Sequence, residues 1–344
     1  MQAAVTDAVF FLISFLLPLL AVLLLMPKFT GYLVRSGRVV SDVHKTPPTK
    51  VPSPVGPLLF AGALVGELFV YFAFGTFVPI VVLCGAAVAF AVGIVDDLFV
   101  IGGKTKPLLL LMAGIPLLVV VYFRPGIYDS SLAFPLLGAT AEHAILFTLL
   151  AVAAFPIVAN TFNMMDSFNG QLSGFTVMTS AALLFGVSLH AAVTAGFSLS
   201  RVASVLPLVA VSAAFLVFNR YPSKAFDGDS GALMFGSMFA TLAITGGVEV
   251  AAIIALLPAV LNSFYTLSSA RGFVERRKMP TRPTRLGEDG KLYASLEPAA
   301  PTTLVRLILL PGPLGERDIV KGVYVLTAVS CILSVAISVL TWVI

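Results

Sequence analysis

Residues 77–97 read FVPIVVLCGAAVAFAVGIVDD, nineteen uncharged apolar or small residues followed by two adjacent aspartates. A run of that length crosses the hydrocarbon core of a bilayer as a helix. Asp96 and Asp97 then fall at the membrane boundary, where neighbouring carboxylates repel each other and demand a cation or a proton. The rest of the 344-residue chain agrees with the first half of that reading. It is 58% hydrophobic and 11% charged, outside the range of soluble globular domains. About ten spans are expected, near 8–26, 55–74, 77–95, 107–123, 143–160, 171–190, 202–218, 230–246, 248–268 and 320–343. The fold class is therefore an all-α integral membrane protein. The first span has no basic residue before it and no Ala-x-Ala site after it, so it is expected to be retained rather than cleaved as a signal peptide.

Charge placement orients the bundle. The loops after spans 1, 3, 5, 7 and 9 share one face and hold every Lys and Arg except Arg124 and Arg201. The positive-inside rule makes that face cytoplasmic and puts both termini outside. The net charge of +4 is then a topology signal with some attraction to anionic lipid, and gives no reason to expect nucleic acid as a partner. Cys84 and Cys331 lie in apolar spans on no metal-ligand spacing and read as core residues. Residues 1–344 form a single polytopic domain. Its cytoplasmic face is built from loops near 27–54, 96–106, 160–170, 219–230 and 271–320.

Those loops carry the polar chemistry. The first, from Asp42 to Gly56, is rich in proline, which predicts a stiff extended backbone, and contributes His44, Lys45 and Lys50. The second runs from Asp96-Asp97 to Lys106, a lysine placed to neutralise the pair or to bind a phosphate beside it. Its Gly102-Gly103-Lys104-Thr105 lacks the spacing and the preceding strand of a Walker site. In the third, Asn160, Asn163 and Asp166 recur every three residues along one helical edge, all oxygen ligands suited to a hard cation such as Mg²⁺. A bland alternative makes Asp166 or Asn169 a helix cap and Gly170 the break, which accounts for one polar residue but not for the row. The fourth loop holds Arg220, Lys224, Gly228 and Asp229, with Asp229 either an N-cap or a ligand. The fifth opens with the basic stretch Arg271–Arg285, suited to phosphate recognition or to anionic lipid, and continues to an Asp289-Gly290 turn that predicts a small β-hairpin.

Carboxylates and amides for a divalent cation, with cations for phosphate, fit an enzyme joining a cytosolic phosphorylated donor to a membrane lipid. An ion-coupled transporter is the alternative, since intramembrane acids mark transport paths. Transporters, however, place sites near the midplane on broken helices with inverted repeats, and no repeat is evident here. A binding scaffold with a decayed site is the third reading, and the intact ligand-type residues speak against it. Glu67, inside span two, is expected to pair within the bundle or to line a lipid groove.

The Asp96-Asp97 pair, Asn160-x-x-Asn163-x-x-Asp166-x-x-Asn169-Gly170 and Tyr221-Pro-Ser-Lys-x-Phe-x-Gly-Asp229 together resemble, in order, the signature loops of the polyprenyl-phosphate N-acetylhexosamine-1-phosphate transferase superfamily. The fourth loop and the hairpin-bearing fifth look most similar to its archaeal and eukaryotic branch. That branch transfers GlcNAc-1-phosphate from UDP-GlcNAc to dolichyl phosphate and releases UMP. The resemblance implies Mg²⁺, with Mn²⁺ as a substitute, on Asn163 and Asp229. It implies uracil stacked on Phe226 and hydrogen-bonded by Asn169, and Lys106 at a phosphate or at the aspartate pair. Asp166, Lys45, Arg276, Lys278 and Arg282 would complete the donor site. Asp96 or Asp97 would orient or deprotonate the acceptor phosphate for direct attack on the β-phosphorus, with a covalent aspartyl intermediate as the alternative chemistry. It further implies a homodimer, in the cell membrane or the endoplasmic reticulum. One departure stands out: Arg276-Arg277-Lys278 carries no histidine where family members have one, and His143 and His190 are expected near the outer face.

Overall fold

The computed structural model describes residues 2–45, 47–99, 101–124, 127, 131–140, 144–194, 199–272 and 281–343. In chain order its elements are α1 (Gln2–Arg35), β1 (Val39–Asp42), β2 (Thr49–Pro52), α2 (Gly56–Phe74), α3 (Val78–Phe99), α4 (Thr105–Leu110) and, after a 3₁₀ turn, α5 (Ile115–Phe123). There follow β3 (Ala133–Phe134), β4 (Gly138–Ala139), α6 (Ala144–Met165), α7 (Gln171–Val193), α8 (Leu199–Ala203), α9 (Leu206–Asn219) and α10 (Gly228–Thr245). The chain closes with α11 (Glu249–Ala255), α12 (Leu257–Ser269), β5 (Thr284–Leu286), β6 (Leu292–Ala294), α13 (Leu304–Ile308) and α14 (Glu316–Trp342).

Local sequence explains where these helices start and stop. Pro57, Pro116, Pro207 and Pro258 stand in the first turns of α2, α5, α9 and α12, where a missing N–H costs nothing. Gly75, at φ 63°, closes α2. Among the described residues eight helical segments are long and apolar enough to span a bilayer. The α11–α12 pair, bent by 67° next to Pro258, makes a ninth if taken as one span. The expected span at 230–246 is the helix α10, which falls outside that set because Asp229 and its serines and threonines lower its hydropathy. It needs no lipid contact: Ser230 through Thr245 are all buried, sealed chiefly by α3 and α6.

Small residues make that central packing possible. A Cβ on Gly236 of α10 would meet the backbone of Ala159 in α6 at 2.6 Å, and one on Gly93 of α3 would run into the backbone at Ser230. The outer surface is apolar instead, with Leu24, Phe72 and Ile332 each more than two-thirds exposed, as lipid-facing helices require.

The hairpin expected around Asp289-Gly290 is β5–β6, with Gly290 at φ 72° in the turn. Loop one is not a lone extended segment: β1 pairs with β2, Asp42 opposite Thr49 and Val39 opposite Pro52. A third hairpin, β3–β4, lies at the other end beside His190 and Trp342, whose rings stack 3.6 Å apart. His143 lies outside the described residues. Both described chain ends, at the start of α1 and the end of α14, are at the end of the bundle away from the polar loops, because α1 leads into β1 and α14 begins at Glu316 beside Asn169. Glu67 neither pairs nor lines a groove: it is fully buried, and among the described residues neither carboxylate oxygen has a hydrogen-bond partner.

Candidate functional site

The five polar loops meet at one end of the bundle through hydrogen bonds to one another. Phe226 donates its N–H to Pro52 (3.0 Å), and Val55 and Gly56 donate to Phe226 (2.9 Å) and Asp227 (3.0 Å), which sews loop four to loop one. Asn262 of α12 donates to the Met164 carbonyl (2.9 Å) and accepts from Leu304 N–H (2.9 Å), tying loop three to the later part of loop five.

Asp97 is built into this frame. Its carboxylate accepts the N–H groups of Asp229 (2.8 Å) and Ser230 (3.1 Å), so it caps α10 from a neighbouring helix. The local cap residue, Asp227, contributes no side-chain bond. Gly228 sits between, at φ 72°, and a Cβ there would meet the Asp97 oxygens at 2.7 and 2.8 Å and Pro54 at 2.6 Å. Asp229 is therefore not the cap of its own helix. Its side chain is left to face Lys106.

Lys106, at the start of α4, lies 2.6 Å from Asp96 and also bonds Asp229. Asp96 accepts the Ile101 N–H as well. The Asp229 carboxylate is the most open of the three at 29% exposure, against 12% for both Lys106 and Asp96. A lysine shared by two carboxylates cannot neutralise this region alone. Asp227 is fully buried, and both its oxygens lack a partner among the described residues. Burial first, then the charges of Asp166, Asp97 and Asp229, push its carboxyl well above the usual range. Lys106 thus serves Asp96 and Asp229, while Asp97, Asp166 and Asp229 crowd the buried Asp227, an acidic neighbourhood that would repel a phosphate without a further cation. The donor set suits a hard divalent cation. No three His, Cys, Asp or Glu side chains form a ready-made cage among the described residues, which is the arrangement Mg²⁺ tolerates when substrate oxygens fill its shell. Asn163, in the last turns of α6 and half-buried, makes no side-chain hydrogen bond among the described residues and is free to serve as a ligand.

A second network lies on the other side of loop three. Asn169 donates its N–H to Glu316 (2.9 Å) and its side-chain amide to Asp42 (2.9 Å). Lys45 bridges Asp42 (3.3 Å) and Glu316, and stands 4.0 Å over the Tyr221 ring, which Arg317 also covers. Burial alone would raise the Asp42 carboxyl, but Asn169, Lys45 and the His44 N–H together hold it below the ordinary carboxylate value. Asn219 accepts from Gly170 N–H (3.1 Å) and Ser173 (2.7 Å), and Tyr324 donates to the Gly170 carbonyl (2.5 Å). Gly170 precedes α7 at φ 84°, and no side chain caps that helix. The capping alternative for Asp166 and Asn169 is thereby set aside.

The expected residues divide accordingly. Asp96, Asp97, Lys106 and Asp229 come together directly, and the half-buried Phe226 lies beside them on loop four. Asn169 and Lys45 meet through Asp42 and Glu316. Lys45, expected in the donor site, is held between two carboxylates. Arg282 is exposed, and Arg276 and Lys278 lie outside the described residues. Sequence reasoning missed Asp42, Asp227, Asn219 and Glu316 as parts of these networks. Only Asp227, two residues before Asp229, stood where a local signal could have raised it.

Fold and site together define a polytopic membrane protein with an acidic, cation-suited centre at one end of its helices. Residues 79–247 match the family model described as glycosyl transferase family 4. The chain is 24% identical, over 97% of its length and 99% of the other's, to a Saccharolobus solfataricus protein provisionally named a UDP-N-acetylglucosamine–dolichyl-phosphate N-acetylglucosaminephosphotransferase. A Methanocaldococcus jannaschii protein provisionally named a glycosyltransferase is 29% identical over 95% of both chains. The UDP-N-acetylglucosamine–dolichyl-phosphate N-acetylglucosaminephosphotransferase of Dictyostelium discoideum is 24% identical over 66% of this chain and 60% of its own. The resemblance read from the loop motifs holds: the chain is similar to glycosyl transferase family 4 over residues 79–247 and to relatives named as UDP-N-acetylglucosamine–dolichyl-phosphate N-acetylglucosaminephosphotransferases.

Proposed function

We propose that this protein transfers a hexosamine-1-phosphate, GlcNAc-1-phosphate as the first choice, from a UDP-sugar to a polyprenyl or dolichyl phosphate and releases UMP. The observation that carries it is the meeting of all five polar loops at one end of the bundle, around the Lys106 and Lys45 acid networks, in a chain matched end to end by a relative named for that reaction. A carrier would need its ionisable groups along a path through the bundle, and Glu67, an acid within it, is sealed off among the described residues. The excess of basic residues in these loops supports a cytoplasmic active end.

Asn163 and Asp229 would hold a divalent cation, Mg²⁺ or Mn²⁺. When bound it would neutralise donor pyrophosphate oxygens and stabilise charge at the transferring phosphorus. An oxygen of the lipid phosphate attacks the β-phosphorus, the bond from that phosphorus to the bridging oxygen breaks, and UMP leaves. Lys106, between Asp96 and Asp229, meets phosphate charge. Asp97 is committed to the α10 N-terminus, so Asp96 is the member of the pair that orients the acceptor or takes its proton. Phe226 and Asn169 receive the uracil ring and its edge.

Purified protein given UDP-GlcNAc, polyprenyl phosphate and Mg²⁺ should release UMP in step with a lipid-linked sugar, and EDTA should stop both. Intact nucleotide, together with solute flux in proteoliposomes, would return the chain to the carriers.

A further inference from the structure

The network around Asn169 holds information that the transfer reaction itself does not need. Asn169 is 3% exposed; its backbone N–H bonds Glu316, and one N–H of its side-chain NH₂ bonds Asp42. Its carbonyl oxygen Oδ1 accepts no hydrogen bond among the described residues and is not among the sealed, orphaned atoms. An asparagine amide can turn over and exchange its donor and acceptor ends, so something must decide which end stays open. Asp42 decides it. Its carboxylate faces Lys45 at 3.3 Å and accepts the His44 N–H at 3.2 Å, and an ionised carboxylate can only accept. The NH₂ of Asn169 must therefore point at Asp42, and the oxygen must point away.

We infer that Asp42 sets the pyrimidine specificity of this site, by holding the NH₂ end of the Asn169 amide so that its acceptor oxygen is the end turned to the base. Uracil offers an N3–H to that acceptor, whereas cytosine offers a lone pair at the same position and is repelled. Lys45 and Glu316 are positioning residues for Asp42 and for the Asn169 backbone. The inference rests on the reading above that Asn169 receives the base edge. It adds a residue from another loop that never touches the nucleotide.

The test compares UMP and CMP binding to the purified full-length protein by calorimetry. Wild type should prefer UMP by at least about tenfold, the scale of one well-placed hydrogen bond against one repulsive pair. Asp42→Asn can donate as well as accept, so Asn169 can turn over, and the CMP-to-UMP ratio of Kd should fall toward one. The double variant Asp42→Asn with Asn169→Asp should restore the preference. A carboxylate at 169 presents an acceptor in either orientation, and the amide introduced at position 42 can then supply the donor. A D42N protein that keeps the wild-type ratio, or a double variant that stays unselective, overturns the inference. Asn169→Ala separates it from the nucleotide reading. If N169A leaves the ratio unchanged, the base does not sit at Asn169 and that reading falls too. If N169A removes the preference while D42N retains it, only the role of Asp42 falls.

Discussion

Replacing Gly93 with alanine should disable the site without touching any residue in it. The added Cβ would lie 2.5 Å from Ser230 N and 2.6 Å from the Asp229 carbonyl, where ordinary contact begins at 3.4 Å. Ser230 Cα is nearer still at 2.4 Å, and all three atoms are backbone and cannot rotate away, so α3 and α10 must part by about 1 Å. Asp97 lies one turn beyond Gly93 on α3, and its bonds to Asp229 N–H and Ser230 N–H are 2.8 and 3.1 Å long. The same displacement takes both past the limit for a hydrogen bond. Overpacking costs about 1–3 kcal/mol, and each lost bond to a charged group about 1.5–3 kcal/mol. A displacement approaching 1 Å at reacting groups costs roughly a hundredfold in rate. G93A should therefore melt several degrees lower in detergent and release UMP about two orders of magnitude more slowly, while Gly31→Ala, at a site with nothing near its Cβ, should leave the rate alone. Wild-type melting and turnover in G93A would refute the argument that Asp97 serves as the cap of α10.

Asn163→Ala and Asp229→Ala should abolish cation-dependent UMP release and weaken Mn²⁺ binding measured by electron paramagnetic resonance, with melting within a few degrees of wild type; full activity in either removes that residue from the site. Asp42 is held below its unfolded value of 3.8, so its contribution to stability is present above that pH and disappears as pH falls through the folded value. The stability gap between wild type and D42N, read from thermal melts, should accordingly be constant at neutral pH and close below about pH 3.8, and a gap that widens in acid would contradict this sign. Glu67→Leu should melt at or above wild type, because it replaces a buried, unpartnered carboxyl with an apolar group of similar size; a loss of more than about 2 kcal/mol would reveal a partner for Glu67.

The order of the helices was legible because each apolar run is a local property, and every expected span has a helix over it. The internal breaks were less so. The bend at Pro258 and the short turn at 111–114 depend on how neighbouring helices seat the chain. The hairpin at Asp289-Gly290 announced itself through turn chemistry, whereas β1–β2 did not, since its prolines and lysines suggest an open loop and its pairing is fixed by contact with Phe226.

For the site, the sequence alone marked out the candidate residues, because acids, amides and lysines at the ends of apolar runs are costly there without a task. It could not apportion the tasks. Asp96 and Asp97 are identical in type and adjacent in sequence, and a helix turns about 100° between them, so one meets Lys106 and the other the α10 N-terminus. Asp42 and Glu316 are separated from Asn169 by more than a hundred residues, and only the assembled bundle brings them within hydrogen-bond reach. Side-chain type is written locally, but whether a carboxylate binds, caps or orients is decided by what the tertiary structure places opposite it.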